Sequence, residues 1–256
     1  MKRFLFIAFI LASIIVIFIS HTHYDQKLAT IADEAEDMKV EASPATIEEE
    51  SASVESFINT LELGGLLEEV VDQNKDDEIL VMVFGSSAIT SVEEKESMPH
   101  MLLPYLQTLL PDQNIALTVM DVKDATSSDV LADNYIDKVI RNKPDLLVME
   151  PLLFNDFDKV DLDESLDHLE TIMADLTEKL PDTTIVLSPA NPIDDEKYVA
   201  LVDQVKSFSK DQNYFFADRW EEKIKKSDQS LFTNEKLLTE VGHLIWTEFL
   251  IEYFVK

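Results

Sequence analysis

Three side chains far apart in this chain could together carry out acyl transfer: a serine two residues after a glycine, an asparagine, and a histidine beside a glycine. The serine stands in Phe84-Gly85-Ser86-Ser87-Ala88 and the histidine in Thr239-Glu240-Val241-Gly242-His243. A serine hydroxyl is a poor nucleophile until an imidazole takes its proton, and a carboxylate that orients the imidazole improves it. The chain has five histidines (His21, His23, His100, His168, His243) and four glycines (Gly64, Gly65, Gly85, Gly242). Two of those glycines flank the serine pair and His243, which selects Ser87 as candidate nucleophile and His243 as candidate base. Glu240, three residues before His243, is the candidate orienting acid, and Asp228 is a second one. A tetrahedral oxyanion needs donors within about 2.7–3.1 Å. The Ser87 backbone N–H and the Asn155 side-chain amide are the candidates for that task.

Such groups converge only if the chain places them on one rim. After Asp77, short apolar runs alternate with segments of helical length. The runs 79–84, 115–120, 145–149, 184–187 and 214–217 predict strands, and 98–110, 127–141, 162–180, 194–210 and 238–254 predict helices. Pro111, Pro144, Pro181 and Pro189 fall at the joins. Strands that are apolar throughout and alternate with helices imply a parallel sheet covered on both faces. Five of them predict an α/β, flavodoxin-like, doubly wound sheet, whose sites form at the carboxyl ends of the strands. Ser87 follows the first predicted strand and Asn155 the third.

Composition narrows the partners. Lys+Arg 21 against Asp+Glu 51 gives a net charge of -30, which disfavours nucleic acid and other polyanions. With no cysteine there is no disulfide, thiolate metal site or thiol nucleophile. The acidic stretch 156–164 lacks the ligand spacing and glycine of a calcium loop, and His21 with His23 is too sparse a set to hold a metal. No cofactor and no metal are expected. His100 and His168, within predicted helices, read as surface or packing residues. Trp220 could line the cleft or cover the sheet edge.

The strand followed by Gly85-Ser86-Ser87, then Lys143-Pro144-Asp145, Phe154-Asn155-Asp156, Asn191-Pro192-Ile193 and Gly242-His243-Leu244-Ile245-Trp246, resembles the SGNH/GDSL hydrolase family. Within it, the pattern is similar to membrane-anchored or secreted SGNH-like proteins of Gram-positive bacteria. The resemblance covers residues from about 79 to the C-terminus. It implies an SGNH-type serine esterase or deacylase, acting through a Ser87 acyl-enzyme on an acylated small molecule, cell-envelope glycan or lipid. A neutral acylated sugar suits the acidic surface best. The alternative is a catalytically inactive SGNH-like module that binds or scaffolds in the envelope. Three departures bear on the choice. Ser86 stands where the family has Asp, and the second block, Asp121–Asp129, has no glycine, with Asp124 near the expected place. Aligned by its turn, the last block puts Asn234 and Leu237 at the acid and histidine positions; aligned by spacing, it puts Glu240 and His243 there.

Lys2 and Arg3 precede an uninterrupted apolar run, Phe4–Ser20. At about 1.5 Å per residue it spans roughly 25 Å, near the thickness of a hydrocarbon core. Residues 1–23 are expected to be an uncleaved signal anchor, or else a signal peptide, with the bulk of the chain extracytoplasmic by the positive-inside rule. Residues 24–76 read as an acidic, partly helical stalk, and 77–256 as the hydrolase-like domain.

Overall fold

The computed structural model describes residues 54–74, 78–189, 192–193, 195–217, 231–233 and 236–256. All of them lie in the compact unit Ser53–Lys256. The expected anchor and most of the stalk lie outside the described residues, as do Trp220, Asn191, Asp228 and Asn234. Among the described residues no helix is long and apolar enough to cross a membrane.

The elements run α1 (Gly65–Gln73), β1 (Glu78–Gly85), a 3-10 turn η1 (Ser87–Thr90), a second, η2 (Glu94–Glu96), and α2 (Met98–Leu109). Then come β2 (Asn114–Asp121), α3 (Ser127–Ala132), α4 (Tyr135–Asn142), β3 (Leu146–Met149) and α5 (Leu153–Asp156). The chain ends with α6 (Leu162–Lys179), β4 (Thr184–Leu187), α7 (Glu196–Gln212), β5 (Phe215–Phe216) and α8 (Glu240–Phe254). The five strands form one sheet in the order β2-β1-β3-β4-β5, and every pairing is parallel. This is the doubly wound order expected from the alternating runs.

Strand periodicity divides the core. Ile79, Val81, Val83, Leu146, Val148 and Val186 face one apolar layer with Leu102, Leu106, Trp246 and Leu250. Their alternates Met82, Phe84, Leu147, Met149, Ile185 and Leu187 face the other, with Val130, Val139, Ile172, Leu176 and Val205. Successive strand side chains point to opposite faces, so an unbroken apolar run supplies both layers. Asp145 clasps the sheet, its carboxylate accepting from the Leu80 N–H at 2.7 Å.

Two expectations need correcting. The helix 127–141 is two helices, broken where Asn134 adopts a left-handed φ of 57°. Asp-Asn favours a turn here because short polar side chains tolerate that conformation. The packed domain also takes in residues from 54 rather than 77, because Val54, Ile58, Leu66, Leu67 and Val70 are buried in the first layer. The apolar positions of the stalk's helical run pack onto the domain instead of standing apart from it.

Candidate active site

Strand β1 ends in a corner that only glycine permits. A Cβ on Gly85 would lie 2.6 Å from the Glu150 Cβ and 3.0 Å from the Ile89 Cγ2. That close approach lets the buried Glu150 carboxylate brace two turns at once. Oε2 accepts from the Ser86 N–H and Oε1 from the Leu153 N–H, both at 3.0 Å. Burial pushes the Glu150 carboxyl up to about 7, against the opposing pull of the Ser86 and Leu153 hydrogen bonds. Ser86 caps η1, its Oγ accepting from the Ala88 N–H. Ser87 is the first residue of η1 and stays partly exposed at the carboxyl end of the sheet.

Asn155 sits in α5, just past β3, where Leu152 enters the turn at a left-handed φ of 63°. It is buried, and its side-chain amide donates to the Lys123 and Ala125 carbonyls, both at 2.7 Å. The Ser87 N–H donates to the same Lys123 carbonyl at 3.2 Å. The two donors expected to share an oxyanion therefore converge on one oxygen, and that oxygen belongs to the backbone of the β2–α3 loop. Next to them, Asp156 is fully buried and fixes α5: Oδ1 accepts from the Ser127 N–H at 2.7 Å and Oδ2 from the Ser165 hydroxyl.

His243 is placed differently from the expectation. It is buried at the start of α8, stacked near Trp246, and both ring nitrogens are engaged. The Met98 N–H donates to Nδ1 at 3.1 Å, and Ser91 Oγ lies 2.8 Å from Nε2. Nδ1 is thus unprotonated and the neutral ring carries its hydrogen on Nε2. Nε2–H donates to Ser91, and the Ser91 hydroxyl donates to the Leu238 carbonyl at 3.1 Å. Burial lowers the His243 pKa to about 4, which keeps the ring neutral. A base for Ser87 would need a free lone pair on the nitrogen facing the hydroxyl, and His243 presents none.

The orienting role expected of Glu240 is not seen, since neither ring nitrogen is left for it. Glu240 is exposed in the first turn of α8. Leu237, at the histidine position of the turn-based alignment, has no group that could take a proton. The other two described histidines also pair with serines: His100 Nδ1 with Ser97 at 2.9 Å and His168 Nδ1 with Ser127 at 2.9 Å. Among the described residues no imidazole hydrogen-bonds the Ser87 hydroxyl. Sequence reasoning missed Ser91 and Lys123; the missing glycine in 121–129 was the only signal for the latter.

Two grooves open away from this corner. One of about 620 Å³ is lined by Phe157, Lys159, Glu196 and Lys197, and one of about 460 Å³ by Leu66, Phe215, Phe249 and Tyr253. Among the described residues no cluster of three or more His, Cys, Asp or Glu could hold a metal ion.

No family model and no curated protein matches the chain. Solved structures do. A lipolytic protein of the G-D-S-L family from Desulfitobacterium hafniense superposes with a TM-score of 0.54 at 14% identity, over 70% of this chain and 99% of its own. The acetyl xylan esterase AlAXEase gives 0.54 at 14%, over 68% and 97%. The psychrotrophic esterase EstA from Pseudoalteromonas sp. gives 0.55 at 16%, over 70% and 96%. The fold is that of the SGNH/GDSL hydrolases. At these identities the likeness is one of fold.

Proposed function

We propose that this chain is an SGNH-type serine ester hydrolase with Ser87 as nucleophile. One observation carries the reading: the Ser87 N–H and the Asn155 amide point at a single oxygen, 3.2 and 2.7 Å away. Oxyanion donors must have that geometry, and it arises here from residues separated by the whole of α2, β2, α3, α4 and β3. In the reaction Ser87 Oγ bonds to the ester carbonyl carbon and its proton passes to a base. The carbonyl oxygen takes up the negative charge between the two donors, and the alcohol then leaves with a proton. Water releases the acid from the acyl-serine by the same steps. The imidazole is engaged with Ser91, which lies four residues past Ser87 and roughly 8 Å further along the turn at ~2 Å per 3-10 residue. In this reading it must exchange Ser91 for Ser87.

The substrate we favour is an acylated neutral glycan of the cell envelope, reached from an extracytoplasmic, membrane-anchored position. The net charge of -30 and the apolar run 4–20 support that choice, as do acetyl xylan esterases among the structures of like fold. A specific observation favours a second reading, an envelope-binding module without catalysis: His243 is committed through both nitrogens to Ser91 and Met98. Prolonged incubation with a fluorophosphonate probe, beside a p-nitrophenyl acetate assay, separates the two. The hydrolase gives labelling and turnover, however slow, that Ser87→Ala abolishes; a folded protein with no Ser87-dependent labelling is the module.

A further inference from the structure

The loop that fills the oxyanion position is a reverse turn with unusual chemistry at its corner. The Ala125 N–H donates to the Val122 carbonyl at 3.2 Å, closing a four-residue turn with Lys123 and Asp124 at its centre. Lys123 has a φ of 57°, whereas Asp124 is not among the positive-φ residues, which is the signature of a type II′ turn. Glycine is the usual occupant of that first central position, because it alone takes a positive φ there without a steric cost. A lysine is held in it by Asp121. The Asp121 carboxylate accepts from the Lys123 N–H and from the Lys123 Nζ, each at 2.6 Å, and from the Thr90 hydroxyl in η1. The Val122 N–H donates to the Gly85 carbonyl at 2.9 Å, which ties the turn to the end of β1.

The orientation of one peptide group then decides what the Ser87 corner can bind. With the 123–124 carbonyl pointing inward, two hydrogen-bond donors are spent on a neutral acceptor, and a substrate oxygen would meet that acceptor head on. Type II′ and type I′ turns differ chiefly by a rotation of about 150–180° of this central peptide. The rotation would withdraw the Lys123 carbonyl and bring the Asp124 N–H inward in its place. The corner would then offer three donors, with the Ala125 carbonyl still accepting from the Asn155 amide.

We propose that the Lys123 carbonyl is a built-in plug of the oxyanion site, and that rotating the 123–124 peptide opens it to an ester substrate. This rests on the hydrolase reading for its consequence, though not for its geometry. Asp121 is the latch, since it holds both the backbone and the side chain of Lys123 in the plugged form.

Amide hydrogen exchange and probe labelling on the full chain test the plug and the hydrolase reading separately. In the unaltered protein the Ser87 amide is expected to exchange slowly, alongside the β1 amides. The double substitution Lys123→Asn with Asp124→Gly installs Asn-Gly, the pair that most favours type I′. It is expected to speed Ser87 exchange at least about tenfold and fluorophosphonate labelling on the order of 10²-fold, the worth of an oxyanion donor. Lys123→Gly alone suits the type II′ corner and should leave both slow, which separates peptide orientation from loss of the lysine charge. Faster exchange without Ser87-dependent labelling upholds the plug and defeats the hydrolase. A Ser87 amide that is unprotected in the unaltered protein, or equally protected in the folded Asn-Gly variant, overturns the plug.

Discussion

Two hydroxyls bracket the same 3-10 turn, Ser87 at its start and Ser91 just after its end, and they have opposite surroundings. Ser87 lies partly exposed on a braced corner with two donors beside it, and among the described residues no imidazole hydrogen-bonds its hydroxyl. Ser91 has the imidazole, but in a tautomer that donates, so its hydroxyl is passed on to the Leu238 carbonyl instead of being activated. A serine–histidine contact of 2.8 Å is therefore no mark of a nucleophile by itself. The partner of the other ring nitrogen decides, and here it is a backbone donor where an activated pair has a carboxylate or another acceptor. The other two described histidines differ from His243 in that respect: His100 and His168 meet Ser97 and Ser127 through Nδ1 and the Glu94 and Glu164 carboxylates through Nε2, at 3.1 and 3.9 Å, but Ser97 passes its hydroxyl to the Glu94 carbonyl and Ser127 is buried.

The sharpest way to break this contrast is to remove each hydroxyl in turn. Ser87→Ala is expected to eliminate all fluorophosphonate labelling, while Ser91→Ala leaves labelling in place, as read by mass spectrometry of the modified peptide. Adduct on Ser91 in the unaltered protein would invert the assignment. His243→Ala comes next in size. It empties a fully buried site and leaves the Met98 N–H without a partner, so a loss of about 3 kcal/mol is expected from urea unfolding. An unfolding midpoint within error of the unaltered protein's would mean the ring contributes nothing to the fold.

How much of this was legible in the residues follows a physical line. The sheet was, because five apolar runs alternating with helices must be buried on both faces, which calls for a parallel sheet between two helical layers. The placement of Ser87 and Asn155 at the carboxyl end of the sheet was, because strand ends dictate where the following residues emerge; the Ser87 N–H and the Asn155 amide meet at one oxygen there. His243 was selected as a base on the strength of Gly242, but that glycine serves packing: a Cβ there would lie 2.8 Å from Leu238 Cδ2 and 3.0 Å from the Leu231 carbonyl oxygen. Residue type cannot reveal which nitrogen carries a proton. The direction of the Lys123 carbonyl is likewise a backbone property, hinted at only by the absence of glycine from 121–129. The break at Asn134 was missed because the apolar spacing runs on through it.

The two ends of the turn also carry buried ionisable groups whose effects on stability oppose each other. Glu150 rises from 4.5 to about 7 on folding. Over that interval the folded state holds a proton the unfolded state has released, so stability falls as pH rises from about 4.5 to about 7. His243 drops from 6.5 to about 4. There the unfolded state holds the extra proton, so stability climbs as pH rises from about 4 to about 6.5. Each slope amounts to something on the order of 3 kcal/mol, and in the unaltered protein they largely cancel between pH 4.5 and 6.5. Measured as differences from the unaltered protein by urea midpoints at each pH, Glu150→Gln exposes the rising slope and His243→Gln the falling one. Parallel curves for both variants would show that neither group titrates as its burial dictates.

The smallest effect tests whether the Ser91 end is a structural staple at all. Ser91→Ala removes the acceptor for His243 Nε2–H and the donor to the Leu238 carbonyl, without touching the Met98 contact. A loss of about 1 kcal/mol is expected, the usual net worth of a hydrogen bond, raised if Nε2–H is left without another acceptor. The more telling readout is the tautomer, seen in the imidazole nitrogen shifts by NMR. With the Met98 N–H still donating to Nδ1, the hydrogen should stay on Nε2 in the variant. If it moves to Nδ1, Ser91 rather than Met98 sets the tautomer, and His243 could be converted to a base by a change at a single hydroxyl.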